Sequence, residues 1–186
     1  MATTETFVPL KGHCTCKTIT YEVPAPFLCT NCCHCTWCQR ETGTAFALNS
    51  IIESSNFRIT SETKPILSDL PTASGSGQKI ARCPNCYVVL CTDYGDDFTW
   101  TTFVDAGTLD DQSKQTVKPD VHINTSTKMD WVDLTSEKER GIQVLEKDYK
   151  ASQVWRKDAL ERFDVLKQRR KKAKEEEEES KSTGGA

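Results

Sequence analysis

The sequence has no hydrophobic run close to the roughly 20 residues that a helix needs to cross a bilayer. Its first residues, MATTETFVPLKGH, also lack an apolar stretch of signal-peptide length. These two absences predict a soluble, intracellular protein that works in the cytoplasm and away from membranes. Because disulfides rarely persist in that reducing compartment, the ten cysteines are expected to be free thiols or metal ligands.

A basic excess is missing as well. The formal net charge is −3, and residues 1–150 carry 14 Lys/Arg against 19 Asp/Glu. A body with this balance has no broad positive field, so nucleic acid is not an expected partner. The one basic run, residues 169–174, could serve as a nuclear signal, although a charged helix end is the preferred interpretation. The cytoplasm is the predicted location, with the nucleus as an addition.

Short segments rich in β-branched and aromatic residues recur between turn-forming residues, which is typical of a β-rich domain. They are residues 18–23, 44–51, 56–60, 87–92, 98–107 and 121–124. A chain of 186 residues suits one domain with a tail. We therefore expect a mainly β fold.

The pattern changes near the C-terminus. Trp155, Ala159, Phe163 and Leu166 recur at helical spacing and predict a docked helix of about four turns, with Ser152 as its N-cap. This helix belongs to a C-terminal extension over residues 136–167. Residues 168–186 lose the apolar face and are predicted to form a charged, disordered tail.

Seven of the ten cysteines have chelate spacing. They form a C-x-C pair, a C-x₂-C pair and a C-x-C-x₂-C triplet: Cys14 and Cys16, Cys83 and Cys86, and Cys33, Cys35 and Cys38. A tight turn aims neighbouring sulfurs at one point, and zinc binds four thiolates tetrahedrally at about 2.3 Å. Four of the thiols would close one structural site, and the other three would leave a metal with an open position. Spacing alone does not decide which groups combine.

The remaining candidates near the triplet have two interpretations. The triplet could close as a second structural site by recruiting His34, Cys32 or Cys29. The preferred interpretation makes Cys29, Cys32 and Cys91 small buried hydrophobes. His34 stands between two presumed ligands, so its ring is expected to face solvent.

Five motifs occur in an order that resembles a known family. They are GHCTC…ITYEV (12–23), CHCTWCQRETGTAF (33–46), CPNC (83–86), AGTLDD (106–111) and HINTSTKMDW (122–131). Together they resemble the glutathione-dependent formaldehyde-activating enzymes, a family that includes the centromere protein V group. The resemblance covers about residues 10–135, which we predict as one zinc domain.

The resemblance implies an Mss4-like β-tent of antiparallel sheets stapled by zinc. It implies a structural zinc on Cys14, Cys16, Cys83 and Cys86, and a second, catalytic zinc on Cys33, Cys35 and Cys38. Because three thiolates more than neutralise Zn²⁺, this second zinc could be labile. The family condenses formaldehyde with glutathione, formally a carbon–sulfur lyase reaction in reverse. The predicted function is therefore a zinc-dependent carbon–sulfur lyase or synthase that acts on thiol adducts of a small carbonyl, with glutathione as co-substrate.

Four further positions are predicted to bind substrate. Arg40 could pair with a carboxylate, although a surface role is equally expected. Thr42 and Gly43 shape the following loop and could offer backbone N–H groups. His122 suits general acid–base catalysis, but a buried, hydrogen-bonded histidine is the preferred interpretation.

The sequence departs from the family pattern beside the structural cysteines. Lys17 and Tyr87 stand where the family commonly has glycine, and Arg82 stands where an aromatic residue is common. These changes affect turns around the four-cysteine site and leave the triplet intact. They indicate a divergent member whose substrate can differ from the family's.

A non-catalytic alternative is a zinc-stabilised module that binds a partner, for example on chromatin. Such a module would need only the four-cysteine site, so retention of Cys33, Cys35 and Cys38 favours the enzyme. The acidic body also argues against direct DNA binding. The sequence makes no prediction of oligomeric state.

Overall fold

The computed structural model describes residues 7–72, 75, 77–95 and 99–183. Strands dominate these residues: β1 (Leu10–His13), β2 (Thr20–Val23), β3 (Cys29–Cys33), β4 (Ala47–Glu53), β5 (Arg58–Ile59), β6 (Ile66–Leu70), β7 (Gln78–Arg82), β8 (Val89–Asp93), β9 (Thr101–Asp105), β10 (Val121–Ile123) and β11 (Gln143–Val144). The helices are α1 (Thr36–Thr42), α2 (Asp111–Lys114), α3 (Thr135–Glu139), α4 (Ala151–Val154) and α5 (Lys157–Thr183). The mainly β prediction is confirmed.

The strands form two sheets. The smaller has the order β1-β2-β5, and the larger has the order β11-β10-β3-β4-β9-β8-β7-β6. Strand β3 lies inside the larger sheet, antiparallel to β4 and parallel to β10. The candidate ligands that follow β3 are therefore held by a strand that is paired on both edges.

Apolar side chains fill the space between the two sheets. Tyr21 from the small sheet packs in one cluster with Ile52, Leu90 and Val104 from the large sheet. Gly12 makes this packing possible, because a Cβ added there would lie 2.1 Å from the Tyr21 ring. A second cluster, which includes Leu28, Val121 and Ala159, lies under the C-terminal helix.

All six predicted strands overlap a strand of the fold, but β3 was not predicted. Its sequence, CTNCC, has no apolar alternation, and all five residues are nevertheless buried. Strand β6 was also missed, although three residues of its sequence, ILSDL, are Ile or Leu, and so were β1, β7 and β11. Phe98, in the predicted strand 98–107, lies outside the described residues.

The C-terminal helix differs from its prediction. The predicted N-cap at Ser152 is wrong, because this residue lies inside the short α4, which is capped by Lys150. Trp155 is extended and separates α4 from α5. Helix α5 then runs to Thr183, through most of the predicted tail, and residues 184–186 lie outside the described range.

Ion pairs and hydrogen bonds add to the apolar docking of α5 and support its length. Arg162 donates from Nε to Glu53 at 2.8 Å and from Nη1 to the Pro26 carbonyl at 2.7 Å. Farther along, Lys171 and Lys172 pair with glutamates four residues later, which supports an exposed helix. Among the described helices, none combines the length and hydrophobicity that a membrane span would require.

Candidate metal and active-site clusters

The first cluster contains four thiols and joins the two sheets. Cys14 and Cys16 follow β1 of the small sheet, whereas Cys83 and Cys86 connect β7 and β8 of the large sheet. All four sulfurs lie within 4.8 Å of one another. The sulfurs of Cys14 and Cys16 are 3.5 Å apart, and those of Cys16 and Cys83 are 3.6 Å apart. Sulfurs at the corners of a tetrahedral zinc site are about 3.8 Å apart, so this donor set fits zinc.

Two turns of similar design present these sulfurs. The Cys14 N–H donates to the Ile19 carbonyl at 3.1 Å, and the Cys83 N–H donates to the Val88 carbonyl at 3.0 Å. Within the turns, the Ile19 N–H points at the Cys14 sulfur at 3.3 Å. Amide hydrogen bonds to sulfur orient a metal ligand and favour its thiolate form.

Each turn also contains a non-glycine residue in the left-handed region. Lys17 has φ 59° and Tyr87 has φ 60°, at the two positions where the family commonly has glycine. A side chain is strained there because its Cβ approaches the backbone. The turn geometry is therefore kept despite the substitutions.

The thiols of the four-thiol cluster differ in acidity. Burial raises the pKa of the Cys14 thiol to about 11, whereas the Thr18 hydroxyl and backbone lower the pKa of the Cys16 thiol to about 5. The exposed Cys16 is thus the first of these two thiols to ionise and the first available to a metal ion.

The second cluster contains three thiols and is local in sequence. Cys33 ends β3, Cys35 caps the N-terminus of α1, and Cys38 lies in the first turn of that helix. Their sulfurs lie within 4.8 Å of one another, and the Cys38 N–H donates to the Cys35 sulfur at 3.3 Å. One strand end and one helix cap thus place three sulfurs together with no contribution from a distant loop.

The three thiols do not ionise alike. Hydrogen bonds from Cys33 and then Cys38 strongly lower the pKa of the Cys35 thiol. Hydrogen bonds with Cys33 and then Cys35 raise the pKa of the Cys38 thiol, since those two thiols compete with it for negative charge. The cluster therefore accepts one negative charge readily, and further ionisation requires a cation to neutralise it.

All three thiols face an open pocket of about 420 Å³. Beside the thiols, its lining consists of amides, aromatic rings, one carboxylate, one hydroxyl and one aliphatic side chain: Asn31, Cys33, Cys35, Trp37, Cys38, Asn49, Thr72, Tyr94, Phe103, Ile123, Asn124 and Asp148. This volume is in the range of small-molecule sites. None of the cysteines of the four-thiol cluster lines it.

A comparison with known families agrees with this arrangement of cysteines. The profile of the glutathione-dependent formaldehyde-activating enzymes matches residues 9–127, which include both thiol clusters. The chain belongs to this family.

Comparisons with solved structures and with curated proteins show weaker similarity or none. A solved structure of a Rhodobacter sphaeroides protein, determined as a structural-genomics target, is 14% identical to the chain. The alignment covers 73% of this chain and 99% of that chain, with a TM-score of 0.40. No curated protein matches the chain.

The C-terminal extension of this formaldehyde-activating family member adds a wall to the pocket beyond the matched range. Asp148 accepts a hydrogen bond from Asn124 Nδ2 at 3.1 Å, and the same nitrogen lies 3.6 Å from the Cys33 sulfur. Next to it, the Tyr149 hydroxyl donates to Asn31 Oδ1 at 2.6 Å and accepts from Trp155 Nε1 at 2.9 Å. The extension is thereby fixed against β3.

The four predicted substrate-binding residues are not among those that line this pocket. Arg40 is exposed on α1, and Thr42 donates to the Cys38 carbonyl at 2.8 Å. Gly43 ends α1 with φ 67°, while His122 is 5% exposed. A role for these four residues at the substrate stays a prediction.

His34 contradicts its prediction of a solvent-facing ring. It is 0% exposed, and its Nε2 lies 3.0 Å from His122 Nδ1. Cys32 is buried as expected, and so are Cys29 and Cys91. Cys32 is not merely a hydrophobe, however, because its sulfur lies 3.7 Å from His34 Nε2.

Sequence reasoning missed most of the polar and aromatic pocket lining. Asn31 and Asn49 pair across β3 and β4, and their proximity could not be inferred before the strand register was known. Asn124 lies in the family-like HINTSTKMDW motif, and that motif is the sequence signal that marks it as a candidate. Asp148 lies outside every motif, and only the docking of the extension brings it to the pocket.

Proposed function

We propose that this protein is a zinc-dependent carbon–sulfur lyase or synthase acting on thiol adducts of a small carbonyl, with glutathione and formaldehyde as the first substrates to test. The observation that carries this proposal is the convergence of Cys33, Cys35 and Cys38 within 4.8 Å at the wall of a pocket. The family match makes a thiol and an aldehyde the expected chemistry. The cytoplasm remains the proposed location.

The proposal assigns different roles to the two thiol clusters. Cys14, Cys16, Cys83 and Cys86 would hold a structural zinc with four sulfur ligands. Cys33, Cys35 and Cys38 would hold a second zinc, which would exchange more readily because the protein supplies only three sulfurs. That zinc would supply either Lewis acidity towards the carbonyl oxygen or a docking point for the co-substrate sulfur.

The pocket residues would orient the two reactants. Asn124 holds the Cys33 sulfur through its side-chain amide, while Asn31 and Asn49 offer polar groups for the peptide-like body of glutathione. Trp37 and Phe103 would pack against the methylene group of the adduct and exclude water from it.

Tyr94 is suited to stabilise the oxygen that gains charge during the reaction. Desolvation within the pocket raises the pKa of Tyr94, although 36% of the residue remains exposed. The phenol therefore stays protonated at neutral pH and can donate a hydrogen bond. A fixed donor aimed at a developing oxyanion favours the transition state over the ground state.

The overall reaction adds the thiol across the carbonyl group. The sulfur of the thiol forms a bond to the aldehyde carbon, the π pair of the carbonyl moves to oxygen, and the proton lost from the thiol ends on that oxygen as a hydroxyl. Reversal breaks the carbon–sulfur bond and returns the thiol and the aldehyde.

The test measures exchange between free and glutathione-bound formaldehyde by NMR, using ¹³C-labelled formaldehyde and the purified zinc-loaded chain. The proposal predicts exchange well above the uncatalysed background. A Cys33→Ser, Cys35→Ser, Cys38→Ser variant should return to background, whereas Cys91→Ala, which changes a buried thiol outside the clusters, should not.

Absence of acceleration by the folded, zinc-loaded protein would reject glutathione and formaldehyde as substrates. Screening other thiols and carbonyls by the same exchange signal would then decide whether any catalysis remains. If the protein binds a second zinc but accelerates exchange for no pair of thiol and carbonyl compound, the non-catalytic binding module would be favoured.

A further inference from the structure

Three metal-binding side chains meet on the face of β3 opposite the thiol pocket. Cys32, His34 and His122 are 1%, 0% and 5% exposed. Their donor atoms lie within 4.8 Å of one another. The Cys32 sulfur is 3.7 Å from His34 Nε2, which is 3.0 Å from His122 Nδ1.

Strand geometry explains why these residues meet. Successive residues of a strand point to opposite faces, so Cys32 and His34 face away from the pocket while Cys33 faces it. His122 pairs with Cys32 in the parallel register of β10 and β3. The three donors are therefore placed by paired backbone rather than by a flexible loop.

We propose that Cys32, His34 and His122 form a third metal site, separate from the two cysteine clusters. For a zinc-sized ion with tetrahedral angles, sulfur–nitrogen ligand pairs lie about 3.6 Å apart and nitrogen pairs about 3.3 Å apart. The observed 3.7 and 3.0 Å differ from these distances by only a few tenths of an ångström. Small side-chain rotations would complete the site.

Hydrogen bonding alone does not satisfy this cluster. His34 Nε2 carries either one hydrogen or one lone pair, so it cannot bond to both the Cys32 thiol and the His122 ring. Among the described residues, His34 Nδ1 and His122 Nε2 have no hydrogen-bond partner. A metal ion would engage the Cys32 sulfur, His34 Nε2 and His122 Nδ1 at once, and would leave the outer ring nitrogens, His34 Nδ1 and His122 Nε2, to carry hydrogens.

A carboxylate lies behind one of the proposed ligands. Glu137 Oε2, which is also buried without a hydrogen-bond partner, lies 3.7 Å from His122 Nε2. A carboxylate beyond the distal nitrogen of a metal-bound histidine fixes the ring and raises its basicity. Arg140 pairs with the same carboxylate and holds it in place.

Coordination number and charge favour monovalent copper in this site. The group has one thiol and two imidazoles, and within the described part of the chain no fourth His, Cys, Asp or Glu side chain belongs to it. Zinc prefers four ligands, whereas soft thiolate donors also select Cu(I). A thiolate and Cu(I) are together neutral, which suits a buried position.

The experiment measures metal content and ligand type in the full-length chain. Because the donors are buried, copper and zinc are supplied during expression, so that metal can enter before packing is complete. Mass spectrometry of total metal should show one metal ion per chain fewer in Cys32→Ala than in wild type. Cys91→Ala is the matched control and should retain the wild-type content.

X-ray absorption of the wild-type protein needs no variant and so does not depend on how Cys32→Ala folds. One sulfur and two imidazole nitrogens around copper would support the site. A zinc ion with that shell would support the site and overturn the preference for copper. Equal metal content in Cys32→Ala and Cys91→Ala, or copper surrounded only by sulfur, would overturn the proposal.

Discussion

The four-thiol and three-thiol clusters use the same donor atom but are assembled in different ways. Cys14 and Cys16 come from one sheet, and Cys83 and Cys86 come from the other. The three-thiol cluster is drawn from residues 33–38 alone, at one strand end and one helix cap. The four-thiol cluster therefore closes a long loop of the chain, whereas the three-thiol cluster closes only a very short one.

This difference predicts what each cluster can contribute. A metal that ties two remote loops together restricts the unfolded chain and adds its binding energy to folding. A metal bound by a local triplet stabilises the fold less, and its position beside a pocket leaves it accessible to a substrate. Stability and reactivity are therefore expected to respond separately to substitutions in the two clusters.

The largest expected effect comes from Cys83→Ser. Cys83 is 0% exposed in the core between the sheets, and loss of this ligand should lower the free energy of unfolding by at least about 3 kcal/mol. Urea unfolding followed by circular dichroism measures the change. The buried Cys91→Ser is the control for introducing a hydroxyl, and its loss should be smaller. Equal losses would contradict the stapling role of the four-thiol cluster.

Cys35→Ser should affect activity more than stability. The substitution removes the thiol that ionises most readily in the triplet, so the catalysed exchange should fall at least about 100-fold, which corresponds to the several kcal/mol expected of a metal site. The free energy of unfolding should change by less than about 1 kcal/mol, because this cluster is local. Unfolding of this variant would instead assign a structural role to the three-thiol cluster.

Tyr94→Phe should have a smaller effect on the same reaction. Loss of one hydrogen bond to the developing oxyanion should lower kcat about tenfold, with little change in KM. Tyr87→Phe provides the matched control, since Tyr87 is exposed in the four-thiol turn and does not line the pocket. An unchanged kcat in Tyr94→Phe would remove this residue from the proposed mechanism.

Lys17→Gly and Tyr87→Gly should give the smallest effect, and one of opposite sign. Both residues hold a left-handed backbone, so glycine relieves strain and should raise the free energy of unfolding by roughly 0.5–1 kcal/mol each. The exchange activity at the three-thiol cluster should not change. Thr15→Gly is the control, because Thr15 is exposed in the same turn without a positive φ, and it should be destabilising.

The fold could be predicted from sequence where strands are apolar or aromatic. Strands β2, β4, β8 and β9 have such residues, and each overlaps a predicted segment. Strand β3 could not be predicted in this way, because its thiols, amide and hydroxyl carry no apolar alternation although all are buried. Its burial depends on pairing with β4 and β10, which are distant in the sequence.

The residues of the candidate site likewise fall into those that local sequence predicts and those that it does not. The seven clustered cysteines were found from spacing, because a metal ligand set requires particular atoms at short separations. The pocket lining was mostly missed, since amides and aromatic rings such as Asn49 and Phe103 are ordinary residues until strand register brings them together. His34 was misjudged because its neighbours in sequence suggested a direction that the alternation of a strand reversed.

The sequence by itself determined the candidate metal ligands, the family and the mainly β class, because cysteine spacing and β propensity are local properties. Only the tertiary structure decided which face of β3 each donor occupies and that the C-terminal extension lines one side of the pocket. Those outcomes depend on contacts between segments far apart in the chain, whose pairing no local pattern specifies.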